Sequence, residues 1–386
     1  MIMSEMKKSL LVKVNTIFRP IKGKNRYVSG IGRSTYEMLK AVSKIDKELP
    51  FDIKLYGSGL SCISKTARDL PFRYQCFPLP ERLGVHITNL EPYFVSNVLK
   101  HNLLHIPNNY DPMMNERMNF IVTMHDTCSY DFIAVKNNDV QWMNMWKFAA
   151  NNSKAIVTCS NSSKNDIINR FHVNEDKVTV IPWGISQDIF HIVEQKIVEQ
   201  RLNEMGIRKK YFFAVSCSDI RKNMENLLKS FHQFSQKSND VVMVMLWNCP
   251  PKSILDTYSE DINQGKLVFL KNVSDEDLVI LYCGALATMF PSRYEGFGFP
   301  ILESFACGTP VMTCPNSSLL EIGGKLAVYA NEDSADEMTQ IMEMFASERY
   351  DYSAFRNKAK DYISGFTWEK TATKYIDFYA QCLNMI

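Results

Sequence analysis

The sequence predicts an α/β chain built from two doubly wound, mostly parallel sheets. Three observations predict it. Short apolar runs alternate with helix-spaced stretches up to about residue 182. The same alternation restarts after about residue 208, and a polar, helical-looking stretch (189–208) lies between the two series. The length agrees, since 386 residues are too many for one ordinary core and comfortable for two.

In the first series the strand candidates are 9–18, 51–57, 103–107, 120–126, 155–160 and 178–182. A helix is expected over 32–45, where Tyr36, Leu39, Val42 and Ile45 recur at helical spacing. Another is expected over 160–171, opened by Ser and Asn capping residues. In the second series the order is strand 211–217, helix 223–236, strands 241–247 and 266–270, and helix 275–285. Strand 286–292, helix 300–307 and strand 311–314 follow. The stretch 189–208 reads as the connection between two domains.

Composition narrows the function. With 46% hydrophobic and 22% charged residues the chain reads as soluble and globular. It has no apolar run of 18 residues, so no membrane-spanning helix is expected. The apolar part of the N-terminus reads as a buried strand, not a signal peptide. Ten cysteines without a C-x-x-C pair predict buried, reduced thiols and a cytoplasmic location. Residues 1–100 carry 17 Lys/Arg against 8 Asp/Glu, whereas the remainder is net acidic. Such a basic quarter suits an anionic partner such as a phospholipid surface or a lipid diphosphate, with Lys22, Lys24, Arg26 and Arg33 as candidate contacts, as well as a plain solvated surface. The basic residues form no dense cluster with interleaved aromatics, which argues against nucleic acid.

The densest signal is LATMFPSRYEGFGFPILESFACGTPVMTC, residues 286–314. A strand ends near Pro291. A loop with Glu295, Gly296 and Gly298 follows, Pro300 suits a helix start, and Gly308 with Pro310 stops that helix. A strand thus delivers a glycine-containing loop onto a helix N-terminus, a place suited to anions. In an open α/β sheet it is also where ligands bind. Glu295 in the loop and Glu303, expected in the first helical turn, bracket the site with seven residues between them. Carboxylates there can accept from the paired hydroxyls of a sugar or ribose.

The run E-G-F-G-F-P-x-L-E followed by A-x-G-T-P-V resembles the E-x7-E signature of the retaining glycosyltransferases of family 4, with mannosyltransferase-type members nearest in pattern. Other segments agree in order. VSDEDLVILYCGALATMFPS resembles the segment leading into the motif, with Val273 as a donor contact. DIRKNMENLLKSF (219–231) resembles the family's basic segment, with Lys222 at its diphosphate-binding lysine. Segments 155–190, 27–39 and 366–379 resemble the close of the N-terminal domain, the glycine-rich donor-side loop and the last helix. The resemblance implies a GT-B fold, two Rossmann-like domains facing a central cleft. It divides the chain into an acceptor-side domain 1–190, a linker 191–208, a donor domain 209–365 and a C-terminal helix 366–386 crossing back to the first domain.

The resemblance also implies roles. Glu303 would bind the donor ribose and Glu295 the transferred sugar. Backbone N–H groups of Gly298, Phe299 and Ile301 would reach the sugar hydroxyls and diphosphate. Arg221 and Lys222 would neutralise the departing diphosphate. Many members carry a Gly-Arg pair where this chain has Ser216-Cys217-Ser218-Asp219, and Arg221 is the substitute for the missing cation. His125 would lie against the transferred sugar, with Asp126 orienting it or capping the next segment. Gly30 and Gly32, in a loop entering the first helix, would approach the diphosphate, and Arg33 would face the acceptor or a phosphate.

The expected reaction moves a hexose from a nucleotide-diphosphate sugar, GDP-mannose preferred and UDP-hexoses open, to a glycan or lipid-linked glycan in polysaccharide biosynthesis. Retention by front-face displacement is favoured, with double displacement through two carboxylates left open, and with no cofactor and no metal required. Peripheral contact with the inner face of an anionic membrane is a further expectation. A nucleotide-sugar epimerase of the same fold and a non-catalytic nucleotide-sugar-binding protein are the alternatives.

Overall fold

Each stretch with β-type patterning becomes a short parallel strand in the computed structural model, and each helix-spaced stretch a crossover helix. The structure describes residues 7–17, 30–45, 48–59, 69–77, 90–109, 111, 114–131, 137–215, 219–347 and 350–386. The chain divides into two units, Met1–Gly184 with Thr367–Ile386, and Ile185–Phe366.

The first unit runs β1 (Ser9–Lys13), α1 (Gly30–Val42), β2 (Asp52–Ser58), β3 (Arg73–Phe77), α2 (Leu90–Tyr93), β4 (Leu103–Ile106), β5 (Phe120–Thr123), α3 (Val140–Asn152), β6 (Ile156–Thr158), α4 (Asn161–Phe171) and β7 (Val178–Val180). The second runs α5 (Gln195–Glu204), β8 (Lys210–Ala214), α6 (Met224–Ser235), β9 (Val241–Leu246), α7 (Lys252–Thr257), α8 (Ser259–Asn263), β10 (Leu267–Leu270), α9 (Asp275–Gly284), β11 (Ala287–Phe290), α10 (Phe299–Ala306), β12 (Val311–Thr313), α11 (Ser317–Gly323), β13 (Val328–Tyr329), α12 (Ala335–Ala346) and α13 (Tyr352–Ile363). The helix α14 (Trp368–Asn384) returns to the first unit.

The first sheet has the order β3-β2-β1-β4-β5-β6-β7 and the second β10-β9-β8-β11-β12-β13. Every pairing is parallel. The strand order reverses between β1 and β4, and again between β8 and β11. Both sheets are buried by helices, so their strands read as continuous apolar runs and not as alternations. The first core holds Trp146, Phe120, Tyr130 and Phe171. The second is rich in methionine, with Met243, Met245, Met289, Met312, Met338 and Met342 buried, an unbranched side chain that fills irregular gaps.

Docking of α14 is built from specific bonds within the first unit. His105 of β4 is fully buried between Thr123 Oγ1 and the Tyr379 hydroxyl, each 2.8 Å away. Lys8 Nζ donates to Leu383 O (2.8 Å) and Thr371 Oγ1 to Pro182 O (2.8 Å). Gly184 has no room for a side chain: a Cβ there would stand 2.3 Å from Trp368 N.

Several expectations need adjustment. Most strands are shorter than their apolar runs, because residues past the ladder turn into the loops at its carboxyl end. β3 and β13 were not foreseen, since RYQCF and a two-residue strand carry no apolar run. Gly30 and Gly32 lie in the first turn of α1, not in a loop before it. The stretch 191–208 groups with the second unit. There Arg201 of α5 pairs with Asp277 of α9, and Gly284 leaves room for Leu202 and Val198. Seven described cysteines are free and six of these are buried. Cys76 is disulfide-bonded, which corrects the expectation of reduced thiols throughout; it sits on the half-buried edge strand β3, outside the core. Among the described residues no helix is long and apolar enough to cross a membrane.

Candidate active site

The reversal point of the second sheet brings together two segments that are far apart in sequence. The chain leaving β8 forms a single 3-10 turn, Ile220–Lys222, capped by Asp219, whose Oδ1 accepts from the Arg221 N–H (2.9 Å). Asn223 then takes the left-handed conformation (φ 60°) and turns the chain into α6. Asparagine tolerates that region better than most residues. The chain leaving β11 runs beside this turn, and the Arg293 N–H donates to Arg221 O (2.7 Å).

Lys222 Nζ therefore meets Glu295 Oε1 at 2.5 Å, with side chains only 12% and 13% exposed. The ammonium lies 4.9 Å from the centre of the Phe290 ring, close enough for a cation–π contribution. Ser292 Oγ donates to the same carboxylate oxygen (2.6 Å). The backbone around Glu295 is held as firmly. Its N–H donates to Ser317 Oγ (3.0 Å), and Ser318 Oγ donates to its carbonyl (2.8 Å). A cation and a carboxylate are thus fixed where an open α/β sheet binds its ligand.

Arg221 is committed locally. Its Nε and Nη2 donate to Asp219 Oδ2 and its Nη1 to Tyr294 O. Gly298 caps α10 with φ 102°, a conformation that favours glycine. The Ile301 N–H is directed to Gly298 O (3.0 Å), and the Phe299 ring packs edge-on against Phe297. Glu303 lies in the second turn of α10, not the first, because the helix opens at Phe299. It is 5% exposed, and its Oε2 accepts from the Tyr282 hydroxyl of α9 at 2.8 Å. Val273 stands in the turn between β10 and α9.

In the first unit, His125 follows β5 and is 5% exposed. Its N–H donates to Asn109 Oδ1 (2.7 Å), its carbonyl accepts from Ser163 Oγ (3.0 Å), and its ring lies against Trp183. Nε2 is 3.4 Å from Pro107 O, while buried Nδ1 has no hydrogen-bond partner. Burial pushes its pKa down to about 4, so the ring is a neutral hydrogen-bonding group near pH 7. Asp126 caps the next turn through the Cys128 N–H (2.8 Å). Arg33 lies half-buried in α1. Lys22, Lys24 and Arg26, like Ser216, Cys217 and Ser218, lie outside the described residues.

Sequence reasoning missed three features. Tyr282, Phe290 and Ser292 carry no signal of their own beyond an apolar helix, a strand end and a loop. In the first sheet, Lys13 at the end of β1 pairs with Asp111 (2.8 Å) and lies 3.4 Å from Glu91, which accepts from the Tyr56 hydroxyl. A lysine–carboxylate pair thus marks the order reversal of each sheet, and Asp111 borders a cavity of about 630 Å³ with Met114, Met145 and Phe148 in its walls. The third is a D-x-D triplet, Asp275-Glu276-Asp277. It forms the acidic first turn of α9 behind the Ser274 cap, with Asp277 paired to Arg201. No cluster of three or more His, Cys, Asp or Glu suited to a metal occurs among the described residues.

Comparison with known proteins covers both units. Residues 28–188 match the description Glycosyltransferase Family 4, and residues 199–362 match Glycosyl transferases group 1. The chain is 25% identical over 289 residues to O-antigen chain mannosyltransferase B of Escherichia coli, across 72% of this chain and 74% of that protein. It is 26% identical over 218 residues to O-antigen chain mannosyltransferase RfbU of Salmonella typhimurium, across 56% and 57%. Among solved structures, sucrose-phosphate synthase from Thermosynechococcus elongatus aligns with TM-score 0.73 at 15% identity, covering 98% of this chain and all of that one. Anabaena HepE in complex with UDP and glucose aligns with TM-score 0.73 at 14% identity, covering 97% and 100%.

Proposed function

The chain is a glycosyltransferase of family 4 with the GT-B fold, and from that membership we propose that it transfers mannose, with retention, from GDP-mannose to a glycan or lipid-linked glycan acceptor. The observation that carries the reading is the Lys222–Glu295 pair, fixed at the reversal point of the second sheet. The names of the relatives, which are O-antigen chain mannosyltransferases, support mannose and polysaccharide biosynthesis.

In this reading the second unit holds the donor. Glu303 takes the ribose and Glu295 the hydroxyls of the transferred sugar. Lys222 exchanges its partner in part, from Glu295 to the diphosphate, as the bond to the sugar breaks. The acceptor oxygen forms a bond to the anomeric carbon on the face from which the diphosphate departs. The acceptor's hydroxyl proton passes to a diphosphate oxygen. Negative charge on the leaving group is greatest in the transition state, so a cation fixed there lowers the barrier. Arg221, tied to Asp219, acts by holding the turn that presents Lys222. The acceptor belongs to the first unit, where the cavity beside Asp111 offers room for a sugar ring, and His125 lies against the transferred sugar. The reaction as written uses neither metal nor cofactor.

Thermal shifts with GDP, UDP, GDP-mannose and UDP-glucose test the donor. A binder at 100 times its Kd adds about 2.7 kcal/mol of stability. Proton NMR of the product from GDP-mannose and a mannose-terminated oligosaccharide tests the stereochemistry. No shift with any nucleotide would remove the donor assignment, and an inverted anomer would remove retention.

A further inference from the structure

The structure points to Tyr282 as a positioning residue: we propose that its hydroxyl fixes the Glu303 carboxylate in the orientation that receives the hydroxyls of the donor ribose. The inference rests on the reading that Glu303 binds that ribose.

Tyr282 is held firmly. It is fully buried in α9, with its ring edge-on to Phe213 of β8 and to Phe190. Its carbonyl accepts from Thr309 Oγ1 at 2.6 Å, which ties α9 to the chain beyond α10. A phenol has two side-chain torsions, and packing on both sides removes their freedom. The hydroxyl is therefore a fixed donor, 2.8 Å from Glu303 Oε2.

Glu303, by contrast, has three torsions, the last of which turns the carboxylate. A carboxylate without a fixed donor can turn about its last torsion, and each hydrogen bond to a ligand must first collect the right orientation. A buried donor on one oxygen sets the plane of the carboxylate before the ligand arrives. The same bond answers the desolvation of a carboxylate that is only 5% exposed. Neighbouring features place this orientation at the proposed donor site. Glu303 sits one helical turn beyond Gly298 and Phe299, and Ser304, next to it, is locked to Thr288 of β11 at 2.7 Å. Rotation of α10 as a rigid body is thereby resisted, and Tyr282 acts on the Glu303 side chain itself.

The test uses the full chain and compares binding of GDP with that of 2′,3′-dideoxy-GDP by calorimetry. Wild type should prefer GDP, and Glu303→Ala should lose the preference. Tyr282→Phe should lose about tenfold in GDP affinity and almost none in dideoxy-GDP affinity, so that discrimination collapses. Turnover at saturating donor should change little. Thr309→Val is the control for structure alone. It removes the bond to the Tyr282 carbonyl and lowers the melting temperature, yet should keep the preference for GDP. If Glu303→Ala discriminates as wild type does, the ribose reading fails. If Glu303→Ala loses discrimination while Tyr282→Phe, folded and melting normally, retains it, the ribose reading stands and the positioning role is overturned. Loss of discrimination in Thr309→Val as well would also overturn it, because general loosening would then explain the effect.

Discussion

Lys222 and Glu295, 73 residues apart in sequence, form an ion pair above the ring of Phe290. Both charges are largely removed from water, so neither is a bystander. Removing one partner of such a pair leaves the other buried and uncompensated, at a cost of about 3 kcal/mol.

Lys222→Ala should thus act twice. Turnover should fall by about 100-fold, more than donor affinity falls, because the cation matters most when the diphosphate departs. The melting temperature should drop as well. Lys222→Met combined with Glu295→Gln separates the effects: stability should return while turnover stays low. If the double variant recovers turnover, the ion pair is a structural strut only.

Acid should weaken the first unit before the second. His105 and His125 are buried, and burial pushes their pKa values down to about 3 and about 4 from an ordinary 6.5. The unfolded chain binds these protons first, so folding stability rises with pH in this window. The contribution is complete above pH 6.5 and is lost as pH falls toward 4 and 3. At pH 5 each histidine should cost about 2 kcal/mol. Melting curves at pH 7, 6 and 5 should show the decline, and His105→Gln should flatten the slope by about one proton. A slope unchanged in that variant would show that His105 already titrates normally in the folded protein.

Gly184→Ala should loosen α14. A Cβ at this position would overlap the backbone of Thr367 and Trp368, and backbone cannot swing aside as a side-chain tip can. A loss of about 2 kcal/mol or more is expected, with new proteolytic cleavage near residue 367. Normal melting and an unchanged digest would show that the approach is looser than the geometry states.

The basic first quarter should bind anionic lipid. Sedimentation with liposomes of rising anionic content should show association that fades with salt, since each exposed charge contributes about 1 kcal/mol. Lys22→Glu with Lys24→Glu should weaken it and leave GDP affinity unchanged. Indifference to anionic liposomes at low salt would mean that the charge is only solvated surface.

The strands and most of the helices were legible because apolar runs buried on both faces leave a plain mark in a sequence. The loop from Pro291 to Gly298 was legible because glycine and proline punctuate it. What escaped depends on distance in the chain. Lys13 and Asp111 are 98 residues apart, Tyr282 and Glu303 sit on different helices, and nothing local tells a buried lysine from a solvated one. Position within a helix escaped too. An error of one residue in the start of α10 moved Glu303 from the first turn to the second, away from the rim of the dipole.

The return of α14 to the first unit has a consequence for the order in which the protein is made. Residues 185–366 form a continuous unit and can fold once they have left the ribosome. The first unit, although synthesised earlier, lacks Tyr379 and the rest of its closing helix until residues 367–386 emerge. His105 and its neighbours must therefore wait, incompletely covered, for the whole second unit to pass. Nascent chains arrested before residue 367 should give a protease-resistant core from the second unit and a digestible first one. The later-made half of the molecule would then be the first to reach its final form.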